Sequence, residues 1–377
     1  MAPIRLAIIG LSQSAKTSWA SEGHLPYLLS ERGRERYKIV ALLNSSESAA
    51  KKAIEAYNLP SDVRPYGSPH DLAADPDVDL VVNTTRVDVH YDTIKPSIEA
   101  GKNAFVEWPL AENVSRATEL SDSAKQSGSK TMIGLQARVA PSVLKLKQLL
   151  QAGIIGRVLS SDVQAFSLRT NRDSISEGLS YFLQKRVGGS PMTIAFGHMI
   201  DFIHSVLGEF ASSNAHLQIQ RPDQTIIDAE TGATRPTVSD VPDLVSVHGT
   251  LRDSEYVAEG ASLIVKFLTG APFPGTSPYV WTITGEKGRL RVWNESGPFT
   301  QSEGSAFPTP IEVEDFTTGE VRQESWDWED WQVPLSPRGR NIAKLYDLYY
   351  EGRTDELGVA GFSGAVVRHT QLDRMLY

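Results

Sequence analysis

The chain has 377 residues, no cysteine, 37 Lys plus Arg against 46 Asp plus Glu, and a net charge of −9. At about 100–200 residues per domain, that length predicts two domains, each able to bury its own core. The missing cysteines exclude disulfide scaffolds, thiol catalysis, Fe–S clusters and Cys-ligated zinc. An acidic balance without a Lys/Arg-rich block argues against direct nucleic-acid binding, which depends on clustered cations.

Apolar runs such as 6–11 and 80–82 fall far short of the roughly 20 residues a membrane helix needs, and no charged-then-apolar leader opens the chain. A soluble, cytoplasmic protein without membrane partners is expected. In chain order, a β-branched strand over 4–9 ends in Gly10 and a helix over 18–32 follows. Then come a strand at 37–43, a helix at 46–57, a strand at 77–83, a helix at 89–100 stopped by Gly101, a strand at 103–107 and a helix at 113–127. A sixth strand is expected at 130–135. Strands alternating with helices of this length make βαβ units and a parallel sheet, with ligands at the strand C-termini.

The pattern then changes. A helix over 141–152 and an extended run over 158–167 precede a polar segment and a helix near 198–207. Alternating stretches follow at 243–251, 261–268, 280–285 and 289–293, separated by Gly/Pro/Ser loops, with an exposed loop over 297–310. These predict a mostly antiparallel sheet with one face covered and one free. The fold class is therefore α/β: an N-terminal Rossmann doubly wound parallel sheet over 1–135, and a C-terminal α+β domain on an open, mostly antiparallel sheet over 136–377. The last helix is a candidate to pack back on the first domain.

A dinucleotide turn needs glycines so that backbone N–H groups can approach a pyrophosphate at a helix N-terminus. Here it reads Gly10-Leu11-Ser12-Gln13-Ser14-Ala15-Lys16, keeping only the first glycine. The same residues also read as a plain strand-to-helix turn with Ser12 or Ser14 as N-cap. After the second strand, Asn44-Ser45-Ser46 stands where an NAD-preferring domain places an acid on the ribose 2′-OH, so a 2′-phosphate is admissible, helped by Lys51 or Lys52 unless these are a solvated helix face.

Further segments carry more. Thr84-Thr85-Arg86-Val87-Asp88-Val89-His90, Glu107-Trp108-Pro109-Leu110-Ala111, Gly188-Gly189, Gly197-His198-Met199-Ile200-Asp201 and Gly285-Glu286-Lys287-Gly288 together make a chain that resembles the Gfo/Idh/MocA family of two-domain NAD(P)-dependent oxidoreductases. Within it, Trp19-Ala20 with His24-Leu25-Pro26, Phe105-Val106-Glu107-Trp108, Leu135-Gln136-Ala137-Arg138 and Phe196-Gly197-His198 are similar to the fungal Gal80-like branch, which implies a fungal source. The resemblance implies NAD or NADP as cofactor. It would be held by Gly10, Ser12, Gln13, Trp19, Asn44, Ser45, Thr84, Arg86, His90, Glu107, Trp108 and Gln136. A small carbonyl or alcohol metabolite would be the substrate.

Two departures qualify the chemistry. The family's Glu-Lys-Pro is Glu107-Trp108-Pro109 here, and an indole cannot act as acid or base near neutrality. The family's Asp four places before the histidine is Ile194, with Thr193 the nearest polar neighbour. His198 remains as proton donor or acceptor, against the alternative of a buried helix-start histidine. Trp108 and Thr193 complete the catalytic candidates. Asp201 could orient the ring or pair locally, and Trp108 could pack on the nicotinamide or in the core. Arg138, Tyr181 and Lys185 are further contact candidates. No metal is expected at His198 and His204, which point to different helix faces.

Trp326-Asp327-Trp328-Glu329-Asp330-Trp331 holds three of the seven tryptophans, and Trp326 and Trp328 should share one side of a strand, as core, dimer face or pocket wall. The family resemblance implies a homodimer through the open sheet face. It also leaves two rivals to the dehydrogenase: an NAD(P)-binding regulator masking a transcriptional activator without turnover, and a non-redox biosynthetic enzyme.

Overall fold

The computed structural model describes residues 2–15, 17–168, 171–300 and 308–376. The chain forms two compact units. Unit 1 comprises Met1–Gln136, Arg186–Gly189 and Asp330–Thr370, and unit 2 comprises Ala137–Lys185, Ser190–Glu329 and Gln371–Tyr377.

Unit 1 carries a six-stranded sheet of β1 (Ile4–Ile9), β2 (Tyr37–Leu43), β3 (Arg64–Tyr66), β4 (Leu80–Asn83), β5 (Asn103–Glu107) and β6 (Thr131–Gly134), in the order β3-β2-β1-β4-β5-β6. Every pairing is parallel. Strands buried on both faces read as unbroken apolar runs, as 6–9 and 80–82 do. The order reverses at β1 and β4, the switch point where ligands bind in doubly wound sheets. The sequence pattern missed β3, because Arg-Pro-Tyr is short and carries no alternation. It is an edge strand, the place where a proline is tolerated.

The helix expected over 18–32 is broken into a π-helical turn Ala20–His24, a short helix Leu25–Leu28 and a second helix Glu31–Arg36. Ser30 is extended and its side chain accepts from Gly33 N at 3.0 Å, which starts the second helix afresh. Gly33 is required there, since a Cβ would lie 1.8 Å from the Tyr27 carbonyl oxygen.

The helix Pro337–Glu351 belongs to unit 1. Its Tyr346 is stacked on Tyr27 at 5.7 Å and meets Tyr37 and Phe105 edge-on, each at 5.2 Å. Beside it, Asp347 accepts from Arg32 at 2.7 Å, Arg36 at 2.6 Å and the Tyr27 hydroxyl at 3.0 Å. Most of the last helix, Phe362–Leu376, also falls in unit 1.

Unit 2 is built on an eight-stranded sheet. Its strands are β7 (Val158–Ser167), β9 (Phe210–Gln218), β12 (Leu244–Leu251), β13 (Val257–Thr269), β14 (Tyr279–Gly285), β15 (Gly288–Asn294), β16 (Ile311–Asp315) and β17 (Val321–Glu324). A small sheet joins β8 (Ser174–Ser176), β10 (Asp223–Ile227) and β11 (Thr234–Val238). The large sheet runs β17-β16-β15-β14-β7-β13-β12-β9 and is antiparallel except for β7 beside β13. Strict burial alternation along β14 and β15 shows one covered face. The helix Gly197–Leu207 supplies cover, with Phe202 tilted 6.1 Å from Trp281. The fold is thus a Rossmann sheet followed by an α+β domain on an open antiparallel sheet. No described helix is long and apolar enough to cross a membrane.

Candidate functional site

Gly10 ends β1 at φ +97°, and its N–H donates to Leu43 O at 3.0 Å. A Cβ at this position would meet Thr85 Cγ2 at 2.7 Å and Thr84 Oγ1 at 3.3 Å. The turn is therefore pressed against the loop that follows β4. Thr84 is held by its hydroxyl donating to Ile9 O at 2.8 Å, and Thr85 by donating to Asn83 Oδ1 at 2.7 Å. Ser12 shares a 2.9 Å hydrogen bond with Ser14, and Gln13 is exposed. Lys16 lies outside the described residues.

At the end of β2, Asn44 Nδ2 donates to Leu11 O at 2.9 Å, joining the two strand ends. Ser45 is exposed and Ser46 caps the helix Glu47–Ala56. Asn44-Ser45-Ser46 is neutral, and Lys51 is paired with Glu47 at 2.6 Å. Half-buried Trp19 has a buried indole N–H that meets no acceptor among the described residues. A close-approach glycine at the first strand end and an unsatisfied donor nearby in sequence fit a dinucleotide, whose oxygens are acceptors.

Other candidates are engaged inside unit 1. Arg86 forms a forked pair with Asp88, both contacts 2.6 Å. His90 is buried between two backbone carbonyls, Pro109 O at 2.9 Å and Thr85 O at 2.8 Å, and burial pushes its ring below the usual histidine range. A neutral ring donates to one of the two, so His90 acts as a strut between the loops after β4 and β5. Glu107 accepts from His24 at 2.9 Å, and the other ring nitrogen of His24 meets the Tyr346 hydroxyl at 2.8 Å. Gly134 makes room for that carboxylate, since a Cβ would lie 2.6 Å from Glu107 Oε2.

Trp108 is 5 % exposed, and its ring lies 4.7 Å from that of His369. Of the two roles open to it, packing within unit 1 is thereby satisfied. His369 itself carried no sequence signal. It accepts from Leu110 N at 3.2 Å, which requires an unprotonated Nε2, and burial, with repulsion from His90, pushes its pKa down to about 3. Above pH 6.5 neither folded nor unfolded chain protonates this ring. Below 6.5 the unfolded chain takes up a proton that the fold refuses, so stability falls by about 1.4 kcal/mol per pH unit toward pH 3. His369→Gln keeps an acceptor for Leu110 N and is expected to flatten this slope in urea-unfolding midpoints measured at pH 7 and 5. An unaltered slope would show that the ring titrates freely in the fold.

In unit 2, Thr193 is committed to a capping box: its hydroxyl accepts from Ser190 N at 2.8 Å while its N–H donates to Ser190 Oγ at 3.2 Å. His198 is the second residue of the helix Gly197–Leu207 and is 6 % exposed. Asp201 forms a bidentate pair with Arg138, at 2.8 and 2.7 Å, across 63 positions of the chain. Lys147 donates to Arg138 O at 3.4 Å, and burial followed by repulsion from Arg138 pushes its pKa down to about 8. His204 is held by Gly208 O at 2.7 Å and Gln371 at 2.9 Å. Among the described residues no group of three acids or histidines could hold a metal.

Gln136 is fully buried and closes the first segment of unit 1. Tyr181 lies in a 3-10 segment, Glu177–Leu183, edge-on to Phe182 at 4.7 Å, and Lys185 N donates to Asp240 at 2.6 Å. The tryptophan stripe is not in a strand, since β17 ends at Glu324. Trp326 and Trp328 do share a half-buried side of an extended segment, with Trp326 donating to Thr309 O at 2.7 Å, whereas Trp331 sits in unit 1, 5.9 Å from Tyr27. The loop expected over 297–310 lies partly outside the described residues.

With this geometry in hand, comparison with known proteins is consistent along the chain. Residues 4–135 match the family described as an oxidoreductase family with an NAD-binding Rossmann fold, and residues 141–294 match the C-terminal domain of Gal80p. The chain belongs to the Gfo/Idh/MocA oxidoreductase family, whose Rossmann domain binds NAD(P). It is 31% identical to dehydrogenase aclE of Aspergillus oryzae over 99% of this chain and 95% of that protein. It is 26% identical to the galactose/lactose metabolism regulatory protein GAL80 of Saccharomyces cerevisiae, over 92% of this chain and 78% of that one. A crystal structure of a super-repressor mutant of Gal80p from Saccharomyces cerevisiae matches the fold with a TM-score of 0.85 at 23% identity, over 99% of this chain and 95% of that chain. An NAD binding oxidoreductase from Klebsiella pneumoniae gives 0.75 at 18% identity, over 99% and 96%.

Proposed function

We propose that the chain is an NAD(P)-dependent oxidoreductase of fungal metabolism acting on a small carbonyl or alcohol metabolite. The observation that carries this reading is the turn at Gly10, a left-handed glycine under Thr84 and Thr85 at the switch point of the sheet. The end-to-end likeness to a protein named as a dehydrogenase supports it. A bound nicotinamide would supply the hydride chemistry. Gly10, Ser12 and Gln13 would bind the pyrophosphate, Asn44 and Ser45 the ribose, and neutrality at Asn44-Ser45-Ser46 admits NADP as well as NAD. His198 would hold and release the proton, because Trp108 cannot and Thr193 is committed to its cap.

A second reading is favoured by Trp108 itself. With an indole packed on His369 where the family carries lysine, the fold would bind NAD(P) without turnover, as a regulator that masks an acidic and hydrophobic activation segment. The two readings separate in one experiment. Purified protein is incubated with NADPH and NADH deuterated at either face of C4 and a small-metabolite extract of fungal cells, and the label is followed by mass spectrometry. Deuterium in one metabolite is the expected result. Cofactor binding with no movement of label would overturn the dehydrogenase and leave the regulator or a non-redox enzyme on the same fold.

A further inference from the structure

His369, in the helix Phe362–Leu376, belongs to unit 1 and meets the loop that follows β5. Leu110 N donates to its Nε2 at 3.2 Å, so that nitrogen is unprotonated, and burial keeps the ring neutral. The single ring proton is therefore on Nδ1. That N–H donates to no group among the described residues, although His369 is only 9 % exposed. A donor left unspent in so buried a side chain calls for an acceptor that the fold does not supply. The ring is also held in place. Trp108 packs 4.7 Å from it, and His90 ties Pro109 O, at 2.9 Å, to Thr85 O, at 2.8 Å. Thr85 in turn lies against the Gly10 turn, where a Cβ would come within 2.7 Å of its Cγ2. These contacts run without a break from the end of β1, through the loop after β4, to the loop after β5, all inside unit 1.

In a doubly wound sheet a dinucleotide straddles the switch point, with one mononucleotide on each side. The end of β2, where Asn44 and Ser45 stand, is the side of the adenosine ribose, so the nicotinamide half falls on the side of β4 and β5, where His369 meets the loop. The nicotinamide offers a carboxamide oxygen as acceptor. A neutral imidazole can donate to it without setting a second positive charge beside the oxidised pyridinium ring. We propose that His369 is a cofactor-binding residue whose Nδ1–H donates to the nicotinamide carboxamide oxygen. This role rests on dinucleotide binding at the Gly10 turn and deepens it, because the returning helix would then orient the pyridine ring.

Equilibrium binding to the full chain tests this contact with three ligands: the tighter of NAD+ and NADP+, its thionicotinamide analogue, whose sulfur is a poor acceptor, and the corresponding ADP-ribose, which lacks the pyridine. In the unaltered chain the thio analogue should bind about three- to tenfold more weakly than the parent cofactor, the worth of one neutral hydrogen bond. His369→Met removes the donor and should abolish that difference while ADP-ribose binds as before. His369→Gln keeps an acceptor for Leu110 N and an N–H to donate, so it should retain the difference. Equal affinity of the two cofactor forms in the unaltered chain, an undiminished difference in His369→Met, or a parallel fall of all three affinities in that variant would overturn the assignment and leave dinucleotide binding standing. Failure of all three ligands to bind the unaltered chain would overturn dinucleotide binding and the assignment together.

Discussion

His198→Ala is expected to lower kcat by about 10²–10⁴-fold in the labelled-hydride assay while NADPH affinity holds, the range that loss of a positioned general acid or base produces. The neighbouring candidates on this stretch are committed elsewhere. Thr193 spends its hydroxyl on the Ser190 cap, Asp201 spends both carboxylate oxygens on Arg138, and His204 is tied to Gly208 and Gln371. Ile194 cannot accept a proton. His198→Gln, which keeps hydrogen bonding but not titration, should lose as much kcat as alanine and should remove the associated limb of the pH–rate profile. A kcat unchanged in both variants would show that the residue is a packed helix-start histidine.

Asp201→Asn should destabilise the protein by about 3–5 kcal/mol, because the largely buried Arg138 guanidinium would lose the carboxylate to which it donates two hydrogen bonds. The Asp201 side chain is 1 % exposed and that of Arg138 18 %, so water cannot replace the lost partner well. Lys147 adds to the penalty, since Asp201 is the charge that favours its ammonium against Arg138. Replacing the pair together, as Arg138→Met with Asp201→Leu, should recover most of the loss, because two apolar side chains leave no charge to solvate. Urea midpoints for the two proteins decide it. A single variant as stable as the parent would mean that the pair is solvated after all.

Much of the scaffold was legible because its signals are local. The runs at 37–43, 103–107 and 158–167 coincide with observed strands, since each is a continuous or alternating apolar stretch bounded by polar residues. Asn113 and Ser46 mark helix starts through their own side chains. Missed features depend on partners remote in sequence. The break at Ser30 answers a close approach of Gly33 to Tyr27, and β3 exists only because β2 offers Arg64–Tyr66 an edge. His369 meets Leu110 across 259 positions, and Arg138 meets Asp201 across 63. Glu107 ends β5, Arg86 lies three residues past β4 and His90 opens the helix that follows, and only coordinates reveal that His24, Asp88 and two carbonyls already engage them.

The return of residues 330–370 to the Rossmann unit limits how such proteins can be recombined. The chain passes between its units five times, at 136/137, 185/186, 189/190, 329/330 and 370/371. A chimaera spliced once near residue 136 would set a donor's Tyr27, Tyr37 and Phe105 against a host's version of Tyr346, and a donor's Arg32 and Arg36 against a host's version of Asp347. Exchange of cofactor modules between relatives therefore has to carry the aromatic helix with the sheet, as one discontinuous unit of inheritance.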